Sequence, residues 1–325
     1  MQAYAELMLG NLVEYGPMSA PSAATGKTSA ALPALVLGGI AIGASPIFVR
    51  VSELGPTATA FHRMLWALPL LWLWARLDAG KRARAVMPDN KRDARQLFFC
   101  GLLFAADLAC WHLSILYTSV TNSTLFANFA PVVVAVGAWL FLRERITRPF
   151  LVGLALCSTG AALLVVSSIQ TSQRHVIGDM YGMVTALFYG FYLLTVASLR
   201  SRLAAPTIMF WSSLVTGVAL ALLAFVAGEQ LMPQTWRGLW ILVALALVTQ
   251  VTGQGLIAYA LGHLPASFSS LVILIQPLTA ALLGWVLLGE AITGLQVAGG
   301  AAILAGILVA RQTSTNKRNG NEATS

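Results

Sequence analysis

A chain of 325 residues that is 58% hydrophobic and only 10% charged, with a mean hydropathy of +0.77, lies far from the soluble average. That composition excludes a secreted disulfide scaffold, a disordered regulator and a nucleic-acid binder, and it assigns the chain to a lipid bilayer. The net charge of +8 then reports cytoplasmic loops rather than a phosphate-binding surface.

Residues 1–30 mix Ser, Ala, Gly and Pro with Glu6, Glu14 and Lys27. They hold no apolar run fit for a signal-peptide core and read as a flexible cytoplasmic tail, or as an over-long gene start. Ten apolar runs follow, at about 31–49, 56–75, 96–118, 120–142, 149–168, 178–198, 206–227, 237–261, 266–288 and 293–311. Each is close to the roughly 20 residues that a helix needs to cross a 30 Å hydrocarbon layer. Residues 312–325 read as a polar C-terminal tail. Cys100, Cys110 and Cys157 fall inside the runs at no metal-ligand spacing and read as packing residues, so neither metal nor cofactor is implied.

Lys and Arg resist translocation, so their positions set the orientation. The second-to-third connection carries Arg76, Lys81, Arg82, Arg84, Lys91, Arg92 and Arg95. Arg143, Arg145 and Arg148 follow the fourth run, Arg200 and Arg202 the sixth, and Arg311, Lys317 and Arg318 the tenth. Lys27 joins them on the same side, whereas only Arg50, Arg174 and Arg237 fall on the other. Ten spans with both termini in the cytoplasm fit this asymmetry.

Offsetting the chain by 146 positions aligns PVVVAVGAWLFLRERIT (131–147) with PLTAALLGWVLLGEAIT (277–293). Pro131/Pro277, Trp139/Trp285 and Glu144/Glu290 coincide, and the next helices match at Gly153/Gly299, Ala155/Ala301 and Gly160/Gly306. Ten of thirty positions agree, where composition alone gives roughly three. The sequence therefore reads as an all-α polytopic protein of ten transmembrane helices, arranged as five-helix repeats over 31–168 and 178–311. An odd number of spans per repeat inverts the second copy in the membrane, an arrangement that can open a central site first to one side and then to the other.

The proline, the tryptophan eight residues on and the Arg/Gly-Glu pair before the next helix resemble the EamA repeat of the drug/metabolite transporter superfamily. The stretches SILYTSVTNSTLF (114–126) and YALGHLPASFSSL (259–271), just before each proline, carry the resemblance further, and it spans about 31–311. It implies a ten-helix carrier in a bacterial cytoplasmic membrane. Its central cavity would be built largely by helices one, three, four, six, eight and nine, and would move small metabolites, amino acids or drugs, often outward. A proton or other coupling ion and a homodimeric partner are compatible with it.

Ionisable groups inside a span cost at least about 2.5–3.5 kcal/mol each, which singles out Arg63, Asp107 and His112. Arg63 and Asp107 either line a watery cavity, binding a zwitterion or shuttling a proton, or Arg63 pairs with Asp107 or with backbone carbonyls between helices two and three and locks their packing. An arginine at this place is common in the family across unlike substrates, which favours the structural role. Asn128, Gln254 and Gln276 are polar groups that must face the bundle interior, either lining the cavity or bonding between helices. Tyr189 and Tyr192 lie deeper than interfacial anchors do. Pro131 and Pro277 each remove a mid-helix donor, which predicts a kink and a free carbonyl beside the cavity. Glu144 and Glu290 lie at span ends, where each is expected to cap the helix that follows. Gly38, Gly39 and Gly43 predict close helix packing. No phosphate loop, zinc-type His pair or Gly-x-Ser-x-Gly elbow is present. Secondary transport is therefore expected, ahead of a membrane-embedded transferase or a channel.

Overall fold

The computed structural model describes residues 25–79, 87–88, 90–117, 126–166, 173–289 and 292–322. Ten helical crossings run through them. In chain order these are α1 (Thr25–Gly43 and Ser45–Val51), α2 (Pro56–Ala79), α3 (Lys91–Tyr117), α4 (Ala130–Phe141), α5 (Arg148–Val166), α6 (Gln173–Leu199), α7 (Ala205–Val226), α8, α9 (Ala266–Val272 and Ile275–Leu288) and α10 (Gly294–Glu322). The eighth, α8, is itself three segments: Trp236–Leu245, a π-helical Ala246–Gln254 and Gly255–Leu261. Among the described residues there is no strand. Seven of the ten are long and apolar enough to cross a membrane, and Ala130–Phe141 and Arg148–Leu163 are shorter apolar stretches. The remaining one, α2, carries His62 and Arg63 inside it.

The backbone of α10 stays helical past the last buried apolar residue, Ala310, where a tail was expected. No proline follows and the first glycine comes only at Gly320, so nothing stops the helix sooner. The helix of α1 likewise begins at Thr25, before the first apolar run. Large apolar side chains, Trp72, Leu77, Phe225, Trp236 and Trp240 among them, are exposed around the bundle, as a surface turned to lipid requires.

Helix neighbours reveal an internal two-fold. The helix pairs α3·α6, α4·α6 and α3·α7 have counterparts in α8·α1, α9·α1 and α8·α2, while α2·α7, α4·α9 and α5·α10 map onto themselves. Two copies related in this way, each of five crossings, are inverted with respect to one another.

The axis crosses α5 and α10, where the Cys157 thiol donates to the carbonyl of Ile303, its own repeat equivalent, at 3.3 Å. Glycine allows that approach. A Cβ on Gly160 would stand 2.5 Å from the Gly299 carbonyl oxygen, and one on Gly153 would stand 2.6 Å from that of Gly306. In lipid, where apolar burial drives no association, such close backbone packing holds helices together.

Side-chain caps tie the connections at each end of the bundle. At one end Glu53 accepts the backbone N–H groups of Gln234 and Thr235, both at 3.2 Å, and the Thr235 hydroxyl. Beside it Glu229 accepts the Ala58 N–H at 2.7 Å, capping α2. At the other end Arg202 pairs with Asp93 at 2.7 Å, and Glu144 accepts the N–H groups of Ala266 and Ser267 at 2.7 and 3.1 Å. Glu144 is thus a cap, but of α9, which begins 122 residues later, and not of the α5 that follows it. The reason is the turn before it. Arg143 adopts a left-handed φ of 54° and its equivalent Gly289 one of 68°, and this turn directs Glu144 back toward α9. Glu290 lies outside the described residues.

Candidate functional site: a central cavity between the halves

A cavity of about 140 Å³ lies between the two repeats. One water needs ~10–15 Å³ on a comparable measure, so the space suits roughly ten waters or a solute of that bulk. Its walls come from α1, α2, α3, α4, α6, α8 and α9, the expected set with α2 added through Arg63.

Three of these helices are broken where they reach it. The break in α1 is at Ala44, that before α4 at Asn128 and Phe129, and that in α9 at Ile273 and Leu274. Pro131 and Pro277 sit just after the last two, and both prolines line the cavity. Proline offers no N–H to the residue four places back. In α9 that residue is Ile273, whose carbonyl instead accepts the Gln276 N–H at 3.0 Å. The expected free carbonyl is therefore taken up in a tight turn, and the break is a change of helix direction.

Gly38 and Gly43 admit α1 to this centre. A Cβ on Gly38 would stand 2.9 Å from the Gly253 carbonyl oxygen, and one on Gly43 would stand 2.8 Å from that of Gln276.

Arg63, Asp107, Asn128, Tyr189, Gln254 and Gln276 all line the cavity. Neither an ion pair nor a hydrogen bond joins Arg63 to Asp107; the Arg63 Nε donates instead to Gln250 Oε1 at 3.1 Å. The Gln250 amide in turn donates to Ser213 Oγ at 2.9 Å. The guanidinium also lies 5.7 Å from the centre of the Phe104 ring, within cation–π range.

Five buried polar atoms of the lining side chains, all able to donate, make no hydrogen bond of good geometry among the described residues: Arg63 Nη2, Asn128 Nδ2, Thr185 Oγ1, Tyr189 Oη and Gln276 Nε2, the Tyr189 phenol lying near the Gln254 and Gln276 amides. A buried donor left unmade costs about 1–3 kcal/mol, so five around one cavity mark a place where a solute or water completes the bonding.

Two sequence candidates lie elsewhere. Tyr192 is buried behind the wall, stacked 4.5 Å from Phe104 and 6.0 Å from Tyr189, with its hydroxyl directed at the Met209 sulfur. His112 is buried next to Trp111 and does not line the cavity.

Thr185, Ser270 and Phe104 line the cavity, and Ser213 braces it, without having stood out in the sequence. A lone hydroxyl in a transmembrane helix ordinarily bonds its own backbone, so Thr185 and Ser270 look like many others. The only signal for Thr185 is its position four residues before Tyr189, on the same helix face. Trp139 and Trp285, shared by both copies of the motif, are exposed on the outside of the bundle.

A duplicated five-helix unit folded around a central polar cavity defines a polytopic membrane protein of carrier-like architecture. The chain belongs to the EamA-like transporter family, whose profile matches residues 29–166 and again 176–312. It is a membrane transporter and not an enzyme. An uncharacterized transporter of Archaeoglobus fulgidus is 25% identical over 277 residues, covering 85% of this chain and 94% of its own. The uncharacterized transporter YxxF of Bacillus subtilis is 25% identical over 306 residues, covering 91% and 95%. A Salmonella typhimurium protein described as a probable amino-acid metabolite efflux pump is 26% identical over 184 residues, covering 54% of this chain and 61% of its own. A solved crystal structure superposes with a TM-score of 0.73 at 14% identity, over 89% of this chain and 98% of that one, and shares the fold.

Proposed function

We propose that this transporter is a secondary exporter of a small zwitterion, an amino acid or a close derivative, working by alternating access in a cytoplasmic membrane with both termini inside. The observation that carries the reading is the donor-rich cavity, where Arg63 Nη2 and the unpartnered amide, phenol and hydroxyl donors suit a carboxylate. Asp107, which lines the same cavity without an ion pair, suits the ammonium end or a coupling proton. The Salmonella relative's description supports this substrate class. The orientation is supported by the excess of Lys and Arg on the connections that include Arg202 and Glu144.

The test is counterflow of a panel of amino acids and amines in proteoliposomes, together with uptake and efflux by cells with and without the protein. Saturable counterflow of one or more amino acids, lost in Arg63→Gln, is the expected result. Conductance without counterflow would turn the reading toward a channel, and counterflow of amines alone would remove the carboxylate from it.

A further inference from the structure

We propose that Gln250 is a positioning residue for the substrate anchor: it fixes the Arg63 guanidinium at the cavity wall without cancelling its charge, leaving Nη2 for a solute carboxylate. This rests on the zwitterion reading above.

The bonding admits one polarity. An arginine can only donate, so the carbonyl end of the Gln250 amide must face it, and the amide's NH2 end then needs an acceptor. Ser213 Oγ is that acceptor, at 2.9 Å. Gln250 and Ser213 are fully buried, so no water substitutes for either contact. Held along its Nε edge by Gln250 and across one face by Phe104, the guanidinium has Nη2 left without a partner.

A carboxylate in place of Gln250 would make an ion pair and neutralise the anchor. An aliphatic residue would let it swing. The amide alone gives both fixation and an undiminished charge.

Local structure serves the same end. Gln250 and Gln254 lie in the π-helical stretch of α8, four residues apart and so neighbours on one face of the helix. The residue that braces the anchor and a residue of the cavity wall therefore share one face. Ser213 belongs to α7, the repeat counterpart of the α2 that carries Arg63. Gln250 thus bridges equivalent helices of the two halves, a cation on one side and a neutral hydroxyl on the other.

The experiment compares counterflow of L-leucine and L-leucinamide, which share a side chain and differ in the carboxylate, in proteoliposomes of wild type, Gln250→Glu, Gln250→Met and Ser213→Ala. Wild type is expected to prefer leucine by about tenfold or more in KM, the scale of a charge-assisted contact. Gln250→Glu should raise the leucine KM by about tenfold or more while the leucinamide KM and both maximal rates stay within about twofold. Gln250→Met and Ser213→Ala should move the leucine KM in the same direction by less, and Ser213→Thr should restore it.

Equal changes for both solutes in Gln250→Glu, or a loss of rate alone, would overturn the positioning role and leave the zwitterion reading intact. Should Gln250→Glu fail to fold, the same comparison in Ser213→Ala decides the matter. Where leucine itself shows no saturable counterflow, the comparison is made with an amino acid of the panel that does and with its amide; a wild type that prefers no amino acid over its amide overturns the substrate reading and this role with it.

Discussion

Asp107 and Arg63 line one cavity without bonding to each other, and a charged group left unpaired in a membrane interior persists only where water or solute can reach it. This weakens the alternative in which the two simply lock α2 to α3. Exchanging their identities should consequently fail to rescue whatever folded yield either neutral single variant loses, as size-exclusion profiles in detergent would show; recovery of yield would restore the pairing. If Asp107 also carries the coupling proton, Asp107→Asn should abolish the pH dependence of net transport while leaving solute exchange, measured across a series of imposed pH gradients. Arg143 offers a prediction of another kind. A non-glycine residue in the left-handed region carries a strain of about 1–2 kcal/mol, and the second copy of the motif places Gly289 there. Arg143→Gly should raise thermal stability in detergent by about 0.5–1 kcal/mol, and a lower melting temperature would show that the arginine side chain outweighs the strain. The charges of the site could be read from the sequence because lipid makes them costly. The hydroxyls and the Gln250 brace could not, because a polar group anywhere in a span looks alike until its neighbour is known.

Among the elements, the crossings were legible from hydropathy and the breaks before α4 and in α9 from their prolines; Pro46 marks the break at Ala44 in the same way although it did not stand out, while the π-helical turn of α8 left no such mark. Capping carboxylates were recognisable as span-end acids, but their partners were not, since each reaches a helix far away in the chain. Glu144→Ala should cost about 1–2 kcal/mol by removing the cap from α9, seen as a lower melting temperature. It should also raise hydrogen exchange at the Ala266 and Ser267 amides, and unchanged exchange there would refute the cap. Glu53 gives the acid-side counterpart. Its carboxyl is held below the usual range chiefly by the Thr235 hydroxyl, against an opposing cost of desolvation, with the Thr235 and Gln234 N–H groups and Arg237 also lowering it. A depressed folded-state pKa means that the cap is fully present above the ordinary carboxylate value and is lost as pH falls through the lowered one. Protection of the Gln234 and Thr235 amides should therefore be flat from pH 8 down to about 5 and fall only in stronger acid. Loss near neutrality would contradict that sign.

For the molecule as a whole, the 146-residue offset revealed the duplication, yet only the folded contacts show that α2·α7, α4·α9 and α5·α10 straddle the axis while the other pairs exchange. The frame has kept its symmetry, in Pro131/Pro277 and in the glycines of α5 and α10. The site has lost it, because α7, the counterpart of α2, carries no cation to match Arg63. Symmetric walls around an asymmetric site fit a carrier whose halves exchange shapes while the solute meets one fixed set of groups. Such a carrier must part each end of the bundle in turn, and one of those ends is held by Glu53 on Thr235 and by Glu229 on α2. Tying that end together should therefore stop turnover while leaving the cavity reachable from the other end. Glu53→Cys combined with Thr235→Cys, joined by a short bifunctional methanethiosulfonate, is expected to abolish counterflow in proteoliposomes, to preserve solute binding by detergent-solubilised protein, and to regain flux on reduction. Undiminished counterflow in the cross-linked protein would mean that this end never opens, and alternating access through it would have to be abandoned.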